Sequence, residues 1–264
     1  MEITGHTRLL AILADPIHHV KTPQAINGYL RAHRLDGVLV PIHVAPEALE
    51  TVVTGLRAMK NLGGFVITVP HKTAIAALCD TVEPHATAIG AVNCVRRNAD
   101  GTLSGTMLDG LGFVEGMKAH GINPRGLRAY LAGAGGAANA IAFALAEAGV
   151  THLTIANRTR EKSDDLAARL AKVHPGLPVS TAPTSVAGYD LIVNATSLGL
   201  REGDPLPLDV SALEPSQIVA EIIMSPEMTP LLVAAKSKGC RIHLGRPMLD
   251  AQLALMTAYM GLRT

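Results

Sequence analysis

The sequence contains 264 residues, of which 48% are hydrophobic and 17% are charged, and its formal net charge is +1. This composition excludes intrinsic disorder, which requires low hydrophobicity and a high net charge. The balanced charge, the 3% aromatic content and the absence of tryptophan give no basis for binding nucleic acid or an anionic membrane. Cys79, Cys94 and Cys240 are odd in number and far apart, so they indicate neither a disulfide framework nor a zinc site. We therefore expect a cytoplasmic protein.

In the first half of the chain, short β-like runs alternate with helical stretches. Strands are predicted at 8–14, 37–44 and 64–69, helices at 22–34, 46–60 and from Pro70, and a hairpin at 92–97 and 102–106. Thr22 is the predicted N-cap of the first helix, with Pro23 at its first position. The apolar run near the N-terminus is short and follows Glu2, so we expect no signal peptide.

After Asp109 the alternation starts again. Strands are predicted at 128–132, 151–156, 190–194, 218–223 and 241–244, and helices at 137–148, 161–173, 229–238 and from Met248. Residues 129–150 are rich in small apolar side chains, but the glycines, Asn139 and Glu147 among them indicate a strand, a turn and a helix rather than a membrane span. The alternation predicts an α/β protein with parallel sheets covered by helices, and the restart near residue 110 predicts two domains.

A glycine-rich turn joins a predicted strand to a predicted helix at Gly133–Ala138 (GAGGAA). It fits the pattern G-x-G-x-x-A, in which Gly133 permits a tight turn, Gly135 lets the backbone approach a pyrophosphate, and a small residue at 138 lets helix and strand pack closely. The N-terminus of the helix then offers free N–H groups to the phosphates. The alternative is a glycine-rich packing turn that binds no ligand.

The end of the next strand distinguishes between two cofactors. An NAD site has Asp or Glu at this point, about 20 residues after the glycines, where it accepts hydrogen bonds from the ribose. This chain has Asn157, Arg158 and Thr159 instead. The planar guanidinium of Arg158 can pair with a 2′-phosphate, which favours NADP and leaves NAD possible. The alternative is a solvated surface arginine.

Further short motifs occur along almost the whole chain. They are Ala14–Pro23 (ADPIHHVKTP), Thr68–Lys72 (TVPHK), Ala91–Asn93 (AVN), Gly105–Gly110 (GTMLDG), the glycine turn, Asn157–Thr159 (NRT), Asn194–Gly199 (NATSLG), Pro226 with Thr229–Leu232 (TPLL), and Gly245–Gln252 (GRPMLDAQ). In this order and spacing the motifs resemble the shikimate dehydrogenase family. Agreement of several blocks is far more specific than any one of them.

The resemblance implies a two-domain enzyme that transfers hydride between NADP, less often NAD, and a hydroxyl-bearing ring carbon of a cyclohexene carboxylate. It implies an N-terminal α/β substrate and catalytic domain, residues 1–110 with 241–264, and a Rossmann-type dinucleotide-binding domain with a parallel sheet, residues 111–240. The expected protein is a monomer or homodimer that acts on a small cyclic hydroxy acid in aromatic amino acid biosynthesis. None of the eleven histidines has metal-ligand spacing, so we expect no metal site.

The resemblance also implies the residues of the site. The catalytic pair falls on Lys72 and Asp109. Substrate-binding positions are Thr22, Thr68, Asn93, Gln252, Val20 and Met224, and cofactor-binding positions are Gly133, Ala134, Gly135, Gly136, Ala137, Asn157, Arg158, Thr159, Thr196 and Gly245. A lysine ammonium can donate to a developing alkoxide or polarise it, and a neighbouring aspartate can orient the amine and share the proton. The sequence leaves open which role Lys72 has. The structural alternatives are an exposed lysine in the first turn of a helix and a helix N-cap at Asp109.

The chain departs from the family where the family has polar side chains. The apolar replacements are Val20 for a hydroxyl residue, Val66 for asparagine, Met107 and Leu108 for asparagine and threonine, and Met224, three residues after Glu221, for tyrosine. A hydrogen bond to a charged group contributes about 1.5–3 kcal/mol. Losing a hydroxyl at 20 and a phenol at 224 therefore predicts carboxylate binding that is ~10- to 1,000-fold weaker. The hypothesis is an altered substrate preference, with His18, His19 and Lys21 as candidate replacement contacts.

Two other functions stay open. The first is an ordinary shikimate or quinate dehydrogenase with a tolerant pocket. The second is a dinucleotide-binding sensor that has lost catalysis. The presence of both Lys72 and Asp109 argues against the sensor, and the loss of polar groups from the substrate site argues for it.

Overall fold

The computed structural model describes residues 2–18, 20–181, 183 and 185–263. The chain divides into two compact units, one formed by Met1–Leu108 with Gln252–Thr264 and the other by Asp109–Ala251. Residues 241–251, which the sequence groups with the first domain, therefore lie in the second unit. No helix in the described part of the chain is long and apolar enough to cross a lipid bilayer.

The first unit is built on a mixed sheet. Its strands are β1 (Arg8–Ala14), β2 (Gly37–His43), β3 (Leu62–Ile67), β4 (Thr81–Val82), β5 (Cys94–Arg97) and β6 (Leu103–Thr106), and they lie in the order β2-β1-β3-β5-β6-β4. Its helices are α1 (Thr22–Ala32), α2 (Leu49–Ala58) and α3 (Pro84–Ile89). β1 pairs in parallel with β2 and β3, whereas β5 is antiparallel to both β3 and β6.

The antiparallel pairing of β5 with β6 confirms the predicted hairpin, and the antiparallel pairing of β5 with β3 makes this sheet mixed where the alternation of strands and helices predicts parallel strands. The turn between β5 and β6 holds only residues 98–102. A crossover between parallel neighbours needs a dozen or more residues, so a connection this short makes the two strands antiparallel. β4 then pairs in parallel with β6 at the edge of the sheet.

Two local predictions in the first unit are wrong. The N-cap of α1 is Lys21, Thr22 is the first helical residue, and no described side chain hydrogen-bonds the start of this helix. No α-helix begins at Pro70; the chain forms turns there, and a 3₁₀ helix follows at Ala74–Leu78. The physical reason is tertiary, because the buried ring of His71 hydrogen-bonds the carbonyl oxygen of Val44 at 2.8 Å and fixes the turn.

The C-terminal segment packs on the first sheet through glycines of β3. A Cβ atom built at Gly63 would lie 2.6 Å from the carbonyl oxygen of Met260, and one built at Gly64 would lie 2.8 Å from Cγ of the same residue. These distances are shorter than van der Waals contact, so only glycine permits the close approach. Met260 is accordingly buried.

The second unit has a parallel sheet of Rossmann type. Its strands are β7 (Arg128–Ala132), β8 (His152–Ala156), β9 (Val179–Ser180), β10 (Leu191–Asn194), β11 (Ile218–Glu221) and β12 (Arg241–His243), in the order β12-β11-β10-β7-β8-β9. Its helices are α4 (Asp109–Ala119), α5 (Gly136–Ala148), α6 (Arg160–Val173), α7 (Pro230–Ser237) and α8 (Arg246–Tyr259), the last of which continues into the first unit. These strands pair in parallel, which confirms the predicted fold class.

Helices α4 and α5 pack unusually closely, backbone against backbone. A Cβ atom built at Gly110 would lie 2.0 Å from the carbonyl oxygen of Ala140. The glycine is therefore required at this helix crossing. α5 also has alanine at most positions of its buried face, which lets it lie close to the sheet beneath it.

Candidate active site

The predicted substrate residues of the first unit gather at one edge of its sheet. β1, β3 and β6 run in the same direction, so their carboxyl ends meet at this edge. Thr68 follows β3, and its N–H donates to the carbonyl of Leu13 near the end of β1 at 3.2 Å. Asp15, directly after β1, donates its N–H to the carbonyl of Val69 at 3.2 Å. The segments after these strands, which carry Val20, Thr22, Thr68 and Lys72, therefore start side by side.

Asn93 is the central residue of this edge. It is buried just before β5, and its backbone N–H donates to Thr106 at 3.0 Å while its carbonyl accepts from Ile67 at 2.8 Å. Its side-chain Oδ1 accepts the N–H of Leu108 at 2.8 Å. The side chain therefore holds the segment after β6, which is a structural role that the sequence does not reveal. Its predicted contact with substrate stays a prediction.

Lys72 lies in the turn after β3 and is half-buried. Its carbonyl accepts the N–H of Val92 at 2.8 Å, so this turn is joined to the residue that precedes Asn93. The structural alternative of a lysine in the first turn of a helix does not apply, because no helix begins there. Asp109 is the first residue of α4 and the first of the second unit. The catalytic pairing of Lys72 with Asp109 stays a prediction.

A group of side chains that sequence reasoning missed supports the segment before Asp109. His85 of α3 lies with Nε2 3.1 Å from the carbonyl oxygen of Met107 and 3.2 Å from Oγ1 of Thr106. The Thr106 hydroxyl donates to Oε2 of Glu83 at 2.7 Å. The segment is thus held by two side chains, those of His85 and Asn93. No sequence signal marks His85 or Glu83, since α3 is a short helix without a clear apolar period.

Most of the apolar departures lie in the core of the first unit. Val66, Met107 and Leu108 are all buried. Val20 is half-buried, and Met224, in the second unit, is 50% exposed. Of the candidate replacement contacts, His18 and Lys21 are exposed, and His19 lies outside the described residues.

A hydrogen-bonded pair of polar side chains lies at the same edge of the first sheet. Nε2 of His43, at the end of β2, is 2.7 Å from Oδ1 of Asp15. Both side chains are partly exposed, so the contribution of this pair to stability is small. The pair lies beside the segments that carry the predicted substrate residues and adds two polar side chains to this edge. The sequence motifs do not identify it. Gln252, the remaining predicted substrate residue, is half-buried in α8.

The second unit contains a cavity of about 700 Å³ at the carboxyl ends of its strands. Of the predicted cofactor residues, those that line it are Gly133, Ala134, Gly135, Asn157, Arg158 and Thr196. The residues that do not are Gly136, Ala137, Thr159 and Gly245. Gly245 has a packing role instead, because a Cβ atom built there would lie 2.3 Å from the carbonyl oxygen of Ile223.

The glycine turn has the geometry that its sequence predicts. Gly133 has a φ of +115°, and a Cβ atom there would lie 2.8 Å from the carbonyl oxygen of Ala195, so no other residue fits without strain. At Gly135, by contrast, no described atom lies within 4 Å of such a Cβ, which leaves the backbone open to a ligand. No described side chain caps α5, and its first N–H groups are available to phosphate oxygens.

The wall of the cavity next to β8 is basic. Arg158 and Arg160 both line it, and no Asp or Glu is found among the described residues that do. The side-chain amide of Asn157 donates to the carbonyl of Thr159 at 2.8 Å and shapes the turn that carries Arg158. Sequence reasoning missed Arg160, although it lies two residues from Arg158. This wall suits a 2′-phosphate and gives a free ribose hydroxyl no carboxylate partner.

Among the described residues, no group of three or more His, Cys, Asp or Glu side chains is placed to hold a metal ion. Cys79, Cys94 and Cys240 are free thiols. Burial raises the pKa of Cys79 to about 11, so this thiol is protonated and unreactive at neutral pH.

A glycine turn at the N-terminus of a helix, a cavity of this size and two arginines on its wall define a dinucleotide-binding protein of Rossmann type. Residues 12–95 match the family model of the shikimate dehydrogenase substrate binding domain, and residues 118–199 match that of shikimate / quinate 5-dehydrogenase. The chain belongs to the shikimate dehydrogenase family. This confirms the predicted family and the assignment as a dehydrogenase that acts on a CH–OH group.

Individual relatives agree with this assignment. A shikimate dehydrogenase (NADP(+)) of Rubrobacter xylanophilus is 40% identical over 251 residues, which cover 94% of this chain and 88% of the relative. The structure of a shikimate 5-dehydrogenase from Listeria monocytogenes, in complex with shikimate and NAD, has a TM-score of 0.92 at 31% identity and covers 98% of this chain and 93% of its own. A ligand-free 5-ketofructose reductase of Gluconobacter sp. has a TM-score of 0.88 at 31% identity, with 96% of each chain covered.

Proposed function

We propose that this chain transfers hydride between NADP(H) and a hydroxyl- or ketone-bearing ring carbon of a shikimate-like cyclic substrate. The observation that carries the proposal is the cavity of the second unit, with its open glycine turn and its basic wall without a carboxylate. The relative from Rubrobacter xylanophilus is named for NADP(+), which supports the same cofactor. The nicotinamide, when bound, supplies the hydride acceptor or donor.

Residues of the chain would then bind the cofactor and move the proton. The first N–H groups of α5, beyond Gly135, bind the pyrophosphate, and Arg158 pairs with the 2′-phosphate with Arg160 beside it. When the ring alcohol is oxidised, its hydroxyl proton must leave as hydride departs from carbon. Lys72 and Asp109 are the proposed proton-handling pair, with the amine at the substrate oxygen and the carboxylate orienting the amine. Asn93, His85 and the backbone of Leu108 fix the segment that leads into Asp109.

We expect a substrate carboxylate to receive fewer hydrogen bonds from this chain than the carboxylate of shikimate receives in other members of the family. Val20, half-buried, and Met224, half exposed, cannot hydrogen-bond a carboxylate. The likeness to a 5-ketofructose reductase, with a TM-score of 0.88, supports a fold that accommodates substrates of different chemistry. The 40% identity to a shikimate dehydrogenase favours the second candidate, an ordinary shikimate dehydrogenase with a tolerant pocket that serves aromatic amino acid biosynthesis.

A spectrophotometric assay at about 340 nm separates these candidates. Shikimate, quinate and a neutral cyclic polyol would be compared with NADP⁺ and with NAD⁺, and Lys72→Ala would be compared with Lys60→Ala, an exposed control lysine of the same unit. We expect turnover that Lys72→Ala abolishes and Lys60→Ala preserves. A kcat/KM for shikimate near ~10⁶ M⁻¹s⁻¹ would refute the altered preference. Cofactor binding without turnover of any substrate would favour the sensor.

The altered preference has its own variant test. Val20→Ser with Met224→Tyr restores the polar groups that the family usually has at these positions. We expect the double variant to raise kcat/KM for shikimate at least about tenfold, since each restored hydrogen bond to the carboxylate contributes about 1.5–3 kcal/mol. An unchanged or lower value would show that these positions do not set the preference.

The cofactor choice is tested at Arg158. We expect Arg158→Ala to weaken NADP⁺ binding about 10- to 100-fold and to leave NAD⁺ binding nearly unchanged, because only the former carries the 2′-phosphate. Equal effects on both cofactors would remove the reason for preferring NADP. A cytoplasmic location and a monomeric or dimeric state stay predictions, and the free cysteines support the former.

A further inference from the structure

Glu221 is a buried acidic residue to which the reaction described above assigns no role. It is the last residue of β11 and is fully buried. Burial raises the pKa of Glu221, and hydrogen bonds from Asn194, Ile223, Ile222 and Thr229 act against that rise. A buried carboxylate is costly unless its oxygens are satisfied, so these partners determine its state.

Four neighbouring groups donate hydrogen bonds to the two oxygens of this carboxylate. Oε1 accepts the backbone N–H groups of Ile222 at 2.9 Å and Ile223 at 3.1 Å. The side-chain amide of Asn194 donates to Oε1 at 3.1 Å and to Oε2 at 3.0 Å, and the Thr229 hydroxyl donates to Oε2 at 3.0 Å. Three of these four groups are N–H donors that cannot accept a hydrogen bond, and the fourth is the Thr229 hydroxyl. The two carboxylate oxygens accept hydrogen bonds from all four groups at once, and this shared acceptor holds them together.

Asn194 connects the Glu221 carboxylate to the wall of the dinucleotide cavity. Its Oδ1 accepts the N–H of Thr196 at 3.1 Å and the hydroxyl of Thr196 at 2.7 Å. The same hydroxyl oxygen accepts the N–H of Leu198 at 3.0 Å. Residues 195–198 all line the cavity, and the carbonyl of Ala195 lies against Gly133 of the glycine turn. The turn is thus connected to the Glu221 carboxylate through one intermediate side chain, that of Asn194.

The carboxylate also fixes a second segment. By accepting the N–H groups of residues 222 and 223 it holds the backbone after β11, and this backbone packs so closely on Gly245 that a Cβ there would meet Ile223 at 2.3 Å. Gly245 is one of the predicted cofactor residues. A single buried carboxyl group therefore joins two segments at the carboxyl edge of the sheet.

We infer that Glu221 is a positioning residue for the dinucleotide site, where its carboxylate fixes the turn at 194–198 in the shape that receives the cofactor. The inference rests on the proposed binding of NADP(H). Glu221 touches no cavity space itself, so its effect on binding passes through Asn194 and Thr196. The inference predicts that replacing this carboxylate raises the Kd for NADPH more than does an equally destabilising substitution elsewhere in the unit.

The first test is Glu221→Gln, measured by NADPH fluorescence titration and by thermal unfolding. The amide has the same shape, but its NH₂ group faces the donor amide of Asn194, so the turn is released. We expect the Kd for NADPH to rise about tenfold (~1.4 kcal/mol). Glu221→Asp keeps the charge, and we expect its Kd to stay within about threefold of wild type.

The matched control is Gln217→Ala. Gln217 is also buried, immediately before β11 at the opposite end of the strand, where its amide donates to the carbonyls of Val186 at 2.7 Å and Tyr189 at 2.9 Å. Its loss lowers the Tm without touching the cavity. We expect its Kd for NADPH to stay within about twofold of wild type. A rise in Kd that matches that of Glu221→Gln at an equal fall in Tm would reduce Glu221 to a structural residue and overturn the inference.

Exchanging the carboxylate and amide side chains between positions 221 and 194 tests the inference even if Glu221→Gln alone fails to fold. Asn194→Asp places a second carboxylate against Glu221, and we expect the weakest NADPH binding of the series. Combining Asn194→Asp with Glu221→Gln restores a donor–acceptor pair with the charge on the other side, and we expect binding at least about fivefold tighter than in Asn194→Asp. No recovery would overturn the inference. Failure of wild type to bind NADPH would overturn the proposed cofactor as well, whereas tight binding unaffected by Glu221→Gln would overturn this inference alone.

Discussion

The structure predicts that the stability of the protein depends on pH through His243. This residue ends β12, is 3% exposed, and packs edge-on to Phe113 at 6.2 Å and to His120 at 5.6 Å between ring centroids. Its Nε2 is buried without a hydrogen-bond partner in the described part of the chain. Burial lowers the pKa of His243 from 6.5 to about 4, and His120 and Arg241 add to the effect.

The sign and size follow from proton linkage. The fold holds the neutral imidazole, whereas the unfolded chain binds a proton near pH 6.5. Stability from this residue is therefore fully present above pH 6.5 and is lost as the pH falls toward 4. The loss amounts to about 2 kcal/mol between pH 7.5 and pH 5, and up to about 3 kcal/mol by pH 4.

The measurement is urea unfolding of wild type and His243→Phe at pH 7.5 and pH 5, followed by far-UV circular dichroism because the chain has no tryptophan. Phenylalanine fills the site and cannot titrate. We expect wild type to lose about 2 kcal/mol more than the variant over this range, and His6→Ala, which removes an exposed imidazole, to behave as wild type. Equal losses in wild type and His243→Phe would refute the reasoning. Staying above pH 5 limits the contribution of carboxylates.

Two further predictions address the site directly. Gly133→Ala is expected to raise the Kd for NADPH at least about tenfold, since φ is +115° and the new Cβ meets a carbonyl at 2.8 Å. Gly176→Ala, at an exposed glycine of the same unit with no described atom within 4 Å, is the control, and equal effects would argue against a role of the turn geometry. Asn93→Leu is expected to reduce kcat at least about 100-fold, with NADPH binding unchanged, because the N–H of Leu108 loses its acceptor and the segment before Asp109 is released; a kcat near that of wild type would contradict this.

The features that sequence reasoning predicted well are those determined locally. The glycine turn at 133–136 is one example, because a positive φ and an open helix N-terminus are properties of a few consecutive residues. The strands at 8–14 and 128–132 are another, since each begins at an arginine and ends before a turn residue, Asp15 or Gly133, and their observed bounds match. Arg158 lies on the cavity wall as its position after a strand implies.

The failures have tertiary causes. Nothing near Pro70 in the sequence shows that His71 will bond to the carbonyl of Val44, 27 residues earlier, and replace the predicted helix by turns. Glu221 and Asn194 are likewise 27 residues apart, so their hydrogen bonds are invisible to any local pattern. The roles of Lys72 and Asp109 came from family resemblance alone, because a lysine and an aspartate in unrelated motifs do not predict a pair.

The close packing of Met260 on Gly63 and Gly64 has a consequence for biosynthesis. The unit that contains the N-terminus also needs residues 252–263, whereas the second unit is one continuous stretch. On the ribosome, the portion of the protein that emerges first is therefore the last to be completed. A nascent chain halted before residue 252 would already contain every residue of the nucleotide-binding unit, while the glycines of β3 would still lack the segment that covers them.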